Sequence, residues 1–239
     1  MAVGGKSAKT GAAERPTKHY HGHRERIRQR ILEGDDAHLR EYELLELLLC
    51  AFIPRVDVKP IAKDMLERFG TVSAALGAAP ERLMEIRGIG ESAAAYIRVT
   101  HLLLQRTAHD AVKDRPVISS WAALLNYVSL KIKHEKVEQA RVLYLDRKNK
   151  LIADEKAGQG TVDHAPIYPR EIARRALELS ASAIILVHNH PSGDPTPSRA
   201  DIELTRDIEK ALASLEIKVH DHLVVGASET ISMKAKGLI

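Results

Sequence analysis

The sequence predicts an α/β protein in two parts, an all-α bundle followed by a compact α/β domain. Three observations carry this expectation. From about Arg24 to Ala108 every segment reads as helix, with apolar residues recurring at helical spacing. After Pro116, short apolar runs such as Ala140–Leu145 and Ala183–Val187 alternate with helical patterns. Between the two lies the polar stretch Asp110–Pro116, where the proline disfavours helix at Arg115. The expected division is a basic tail over 1–20, a helical domain over 21–110 and an α/β domain over 117–239.

The elements follow in order. Met1 to His19 is rich in Gly, Ala, Ser, Thr and Lys and has no periodicity, so a flexible tail is expected. Met1–Arg30 holds eight Lys/Arg against two Glu, a basic arm able to touch phosphates or simply to stay solvated. His19, His21 and His23 alternate there without an ordered scaffold around them. Leu44, Leu45, Leu47, Leu48 and Leu49 form one apolar helical segment that ends on Cys50. Ile61, Met65, Leu66 and Phe69 mark the next helix, with Asp57 before it and Pro60 in its first turn. Leu76, Leu83, Ile86, Ile97 and Leu102–Leu104 complete the apolar set of a small bundle.

In the second part, Trp121, Leu124, Leu125 and Val128 predict a helix. Ala140–Leu145 reads as a strand, followed by a turn at Lys148-Asn149 and a second strand near Leu151-Ile152. Pro169 opens a helix carrying Ile172, Ala176, Leu177 and Leu179. Ala183–Val187 is a buried strand, and Ile202, Thr205, Ile208, Leu212 and Leu215 mark another helix. Val219–Val225 and Thr230–Met233 are the last strands.

Composition narrows the function. An apolar fraction of 44% allows real cores, and aromatics at 4% mean that these are built from Leu, Ile, Val and Ala. A net charge of +4 permits a nucleic-acid partner without requiring one. The single cysteine excludes an intrachain disulfide. The N-terminus has no apolar core of a signal peptide, and no run approaches the ~18 apolar residues of a membrane helix. The expected compartment is the cytoplasm, with no membrane partner.

The chemistry concentrates in His188-Asn189-His190-Pro191-Ser192-Gly193-Asp194-Pro195-Thr196-Pro197-Ser198-Arg199-Ala200-Asp201, which begins where a buried strand ends. Two histidines at alternate positions of an extended chain project to one side. Imidazole is a preferred zinc ligand and a carboxylate oxygen can be the third. The Pro- and Gly-rich stretch turns into a helix near Ser198, and Asp201 falls in its first turn. Three protein ligands leave a fourth position for water, the arrangement of a catalytic site. The same four residues, Ser198 to Asp201, also read as a capping box, and a capping serine can still face a site.

The pattern His-x-His-Pro, six residues, Ser-x-x-Asp resembles the JAMM/MPN metalloprotease motif. The wording His-Asn-His-Pro-Ser-Gly-Asp-x-x-Pro-Ser resembles the RadC family of bacterial proteins. Gly160-Thr161-Val162-Asp163, Tyr168-Pro169-Arg170-Glu171, Asp221-His222-Leu223 and Lys236-Gly237-Leu238 extend the likeness over about Tyr20 to Ile239. The resemblance implies an MPN-type (cytidine-deaminase-like) α/β domain that holds one zinc ion through His188, His190 and Asp201. It implies hydrolysis of a peptide or protein substrate. A glutamate before a strand reading x-Val-Leu-x-Leu-Asp would be the general base; matched to Arg141–Asp146 this selects Glu138, with Glu135 as the alternative. Ser198 would donate to the oxyanion.

Other polar residues stay open. His220 and His222 are expected on one strand face, with Asp221 on the other, and either histidine can support the site or simply end the strand. His164 and Arg170 have no assigned role. In the helical part, Glu81–Ile86, Arg87-Gly88-Ile89-Gly90 and a helix from Glu91 resemble a helix-hairpin-helix. Such a turn brings backbone N–H groups to a phosphate, which implies DNA as a partner and an accessory role in DNA repair as the alternative function. Glu91-Ser92 departs from the DNA-binding version, since a carboxylate repels phosphate at the positive helix end. The turn then serves only to pack two helices.

Overall fold

The computed structural model describes residues 20–54, 56–113, 115–159 and 167–239. The tail before Tyr20, with His19, and the segment with Gly160–Asp163 and His164 lie outside the described residues.

The N-terminal half is helical: α1 (Tyr20–Leu32), α2 (Glu41–Phe52), α3 (Lys59–Phe69), α4 (Val72–Gly77), α5 (Pro80–Met84) and α6 (Glu91–Lys113). Local chemistry sets several starts. Asp57 Oδ1 accepts from Lys59 N at 3.1 Å ahead of Pro60, which loses no helical bond in the first turn. Thr71 Oγ1 accepts from Ala74 N at 3.1 Å to open α4. Leu45, Leu49, Ile61, Met65, Leu76, Leu83, Ile86 and Ile97 then share one apolar core. Each such side chain contributes roughly 1.5–3 kcal/mol on burial. The turn before α6 needs Gly88, whose φ is +100° and whose Cα faces Ile61.

The sheet follows helix α7 (Trp121–Ile132). Strands β1 (Gln139–Leu145) and β2 (Leu151–Gln159) form a hairpin turned by Asn149 at φ 58°. Helix α8 (Pro169–Glu178), strand β3 (Ala183–Asn189), helix α9 (Arg199–Ala213), strand β4 (Lys218–Val225) and strand β5 (Thr230–Ser232) complete the chain. The strand order is β2-β1-β3-β4-β5, with β3 and β4 parallel across α9 and the other neighbours antiparallel.

Alternation along β3 builds a three-layer domain. Ala183, Ile185 and Val187 face α7 and the end of α6, together with Leu143, Leu145, Leu223 and Val225. Ile184 and Leu186 face α8 and α9, together with Val142 and Tyr144. By the same alternation His188 falls on the α8/α9 side and Asn189 on the α7 side.

Two elements exceed their sequence reading. Helix α6 continues past Ala108 to Lys113, because Val112 is fully buried among the α7 and sheet residues. Strand β2 runs to Gln159 rather than ending near Ile152. Its Ala153-Asp154-Glu155-Lys156 portion lacks an apolar run because β2 is an edge strand, partnered by β1 alone. Among the described residues, no helix is long and apolar enough to cross a membrane.

Candidate metal centre

Strand β3 delivers His188 to its C-terminal end, and His190 N extends the pairing by donating to Val225 O at 3.0 Å. The chain then reverses over β4. Gly193, at φ +92°, accepts from Ala227 N at 2.8 Å, and its carbonyl approaches Gly226 so closely that a side chain there would collide with it. Asp194 Oδ1 accepts from Thr196 N (2.9 Å) and Thr196 Oγ1 (2.7 Å), stiffening the turn. Ser198 then caps α9: its Oγ accepts from Asp201 N (3.2 Å), while Asp201 Oδ2 accepts from Ser198 N (2.7 Å). This box aims the Asp201 carboxylate back at the strand end.

The structure thus brings His188, His190 and Asp201 together, with one ligand atom of each within 4.8 Å of the others. His188 Nε2 lies 2.9 Å from His190 Nε2 and 3.6 Å from Asp201 Oδ1; His190 Nε2 lies 3.8 Å from Asp201 Oδ2. A tetrahedral zinc site with bonds near ~2.05 Å separates its ligand atoms by ~3.3 Å. The observed separations bracket that value.

Following the protons shows why these atoms suit a cation. Thr205 Oγ1 sits 2.5 Å from Asp201 O and donates to it, the only option for a hydroxyl facing a carbonyl. It therefore accepts from His222 Nδ1 at 2.6 Å. His222 Nε2 then carries a lone pair and accepts from His188 Nδ1 at 2.7 Å. His190 Nδ1 donates to Asp194 O at 2.7 Å. Both Nε2 atoms are left with lone pairs that face each other at 2.9 Å, a repulsive arrangement unless a proton or metal cation lies between them.

Electrostatics agree. Burial pushes His188 down to about 4, so its ring is neutral and ligand-ready at pH 7. Burial drives His222, fully enclosed, well below the ordinary histidine value. His190 is raised, first by the Asp201 carboxylate beside it, against burial, and further by the Asp194 carbonyl and the Glu138 charge. Burial pushes Asp201 up, but His190, His188 and Ser198 outweigh it and hold the carboxyl well below its usual range.

Glu138 immediately precedes β1. The antiparallel pairing of β1 with β3 ends at Ala140 and His188, two residues short of Glu138 and His190. The Glu138 charge acts on His190. Glu135 lies three residues further from that ladder, and its carbonyl accepts from Asn189 Nδ2 at 3.2 Å. Ser198 Oγ donates to Asp201 Oδ2 at 2.7 Å, so its hydroxyl is already engaged. Arg170 is largely exposed beside Glu171 and Tyr168.

The expectation that His220 and His222 share a face does not hold. A bulge between Ile184 and Ile185 leaves His220 as the extra residue, because Val219 pairs with Ile184 and Asp221 with Ile185. His220 Nε2 instead meets Asn149 Oδ1 at 2.6 Å. Asp221, nearly fully buried, anchors the distortion by accepting from His222 N (2.7 Å), Ser232 Oγ (2.5 Å) and Lys234 N (3.0 Å). Sequence reasoning also passed over Thr205 and Asn189. Spacing was the available signal, since Thr205 is one helical turn after Asp201 and Asn189 alternates with both histidines.

Residues 118–238 match the family profile described as a RadC-like JAB domain. A UPF0758 protein of Ruegeria pomeroyi is 52% identical over 217 residues, covering 91% of this chain and 97% of its own length. A UPF0758 protein of Rhodobacter capsulatus is 51% identical over 213 residues, covering 89% of this chain and 100% of its own. With a profile over half its length and relatives matched nearly end to end, the chain belongs to the RadC family.

Proposed function

We propose that the protein is a zinc-dependent hydrolase of the JAMM type that cleaves an amide bond in a peptide or protein. The observation that carries this reading is the convergence of two imidazole Nε2 atoms and one carboxylate at a strand end. His188, His190 and Asp201 are the ligands in this reading. Zinc held there would supply Lewis acidity to a carbonyl and would lower the pKa of a water toward ~7. Glu138, whose charge acts on His190, takes the proton of the attacking water and returns it to the leaving amine nitrogen. Ser198 orients Asp201 in the resting site and reaches a developing oxyanion only by releasing that carboxylate. His222 and Thr205 hold the His188 ring in its ligand tautomer.

Residues 21–110 are read here as a helix-hairpin-helix domain joined to an MPN domain over 117–239. Glu91 heads α6 where a phosphate would dock, so a packing role suits the hairpin better than DNA contact. The test is metal analysis of the purified chain combined with peptide-library cleavage. Wild type should carry one zinc and cleave. Glu138→Gln should keep the zinc and lose about 10²–10⁴-fold in rate. Full activity in that variant would remove Glu138 from its role.

A further inference from the structure

We propose that the helical half is a working part of the hydrolytic site, because it clamps the segment that carries Glu138. This rests on the reading of Glu138 as the general base. The segment is the loop Lys133–Glu138, which joins the end of α7 to the start of β1. Two grips hold it.

The first grip comes from the helical half. His134 Nε2 lies 3.0 Å from Ser73 Oγ on α4. The imidazole also abuts Gly77, the last residue of α4, where any Cβ would collide with it. Gly77 has no positive φ to require glycine, so the ring itself is the reason for the missing side chain. His101 of α6 faces His134 with ring centroids 6.2 Å apart, and Gln105 Nε2 donates to Leu130 O at 2.7 Å just ahead of the loop. Burial lowers His134 to about 4, so a neutral ring fills this socket at pH 7.

The second grip is Asn189, buried between His188 and His190 in sequence but pointing to the opposite face. Its Oδ1 accepts from Gln139 N at 2.9 Å, and its Nδ2 donates to Glu135 O (3.2 Å) and Val137 O (3.3 Å). These bonds span Glu138 on both sides. One residue of β3 thus fixes the backbone around the base, while α4 and α6 fix its approach from α7. His134, Ser73, Gly77 and Asn189 are positioning residues that act through Glu138.

The test uses the full-length chain with cobalt(II) in place of zinc, so that visible d–d bands report the surroundings of the metal. Glu138→Gln should shift these bands with cobalt stoichiometry unchanged. Ser73→Ala and Gly77→Ala, remote from the metal, should shift them in the same direction. They should also speed hydrogen exchange of the Gln139 amide by about fivefold, the effect of one weakened hydrogen bond. In the Glu138→Gln background neither should shift the bands further. Wild-type bands and exchange in both variants, or additive shifts in that background, would overturn the clamp. Should Gly77→Ala fail to fold, Ser73→Ala decides alone. Failure of the wild-type chain to bind cobalt would instead overturn the metal reading itself.

Discussion

The two halves of the molecule bury polar groups in opposite ways. In the helical half, the fully buried Glu46 carboxylate faces His23 Nε2 at 3.4 Å and Arg24 Nε at 4.0 Å. These are ion-pair distances without hydrogen-bond geometry. Arg24 also donates to Val56 O at 2.5 Å, tying α1 to the loop before α3. In the sheet half, His188, His222, Thr205 and Asp201 are linked by bonds of 2.5–2.7 Å whose donors all run one way. The first cluster balances charge and holds helices together. The second orders protons so that lone pairs are left over where a cation fits. Burying charge is therefore compatible with a purely structural role, and the direction of the hydrogen bonds separates a site from a staple.

The largest expected effect comes from removing a proposed metal ligand from the second cluster. His190→Ala should reduce zinc from one equivalent to a trace, read by metal analysis. Unchanged zinc would show that the lone-pair arrangement is not a metal site. The first cluster should respond in stability alone. Glu46→Ala should cost about 3 kcal/mol in denaturant unfolding while zinc content stays at one equivalent. Loss of metal there would erase the distinction between the clusters. His222→Ala should weaken zinc affinity by about 10–100-fold in a chelator competition and still allow full loading at saturation. An unaltered affinity would reduce the relay to packing.

The smallest effect concerns pH at the junction of the halves. Burial depresses His134 to about 4 and lowers His101, in both cases from an ordinary value of 6.5. The unfolded chain therefore takes up protons between about 6.5 and 4 that the folded chain refuses. Their contribution to stability is complete above about 6.5 and is lost as pH falls toward 4. His134→Gln should flatten the decline in unfolding midpoint between pH 7 and pH 5. A decline as steep as that of wild type would place the acid sensitivity elsewhere.

Much of the site was legible because the chemistry is local. His188 and His190 lie two apart at the end of a strand, and Asp201 lies in the first turn of the next helix, so spacing and the capping box already aim them together. The proposed role of Glu138 rests on family register, because a glutamate before a strand has no local mark in the sequence. The bulge at His220 could not be read, since one inserted residue reverses parity without changing composition. The end of α6 was hidden for a related reason. Val112 sits in a polar stretch, and only its burial against α7 shows that the helix continues.

By itself, the sequence determined what short-range rules control: helical periodicity, the strand–loop–helix turn and the donor types at its two ends. Tertiary structure alone decided what depends on partners distant in the chain. Those are the pairing of His188 with His222 across parallel strands, the grip of Asn189 on the Glu138 segment, and the seating of His134 on α4. Each joins residues at least 34 positions apart, beyond the reach of any helix or strand period. Hydrogen-bond direction is settled only when every donor and acceptor has met its partner.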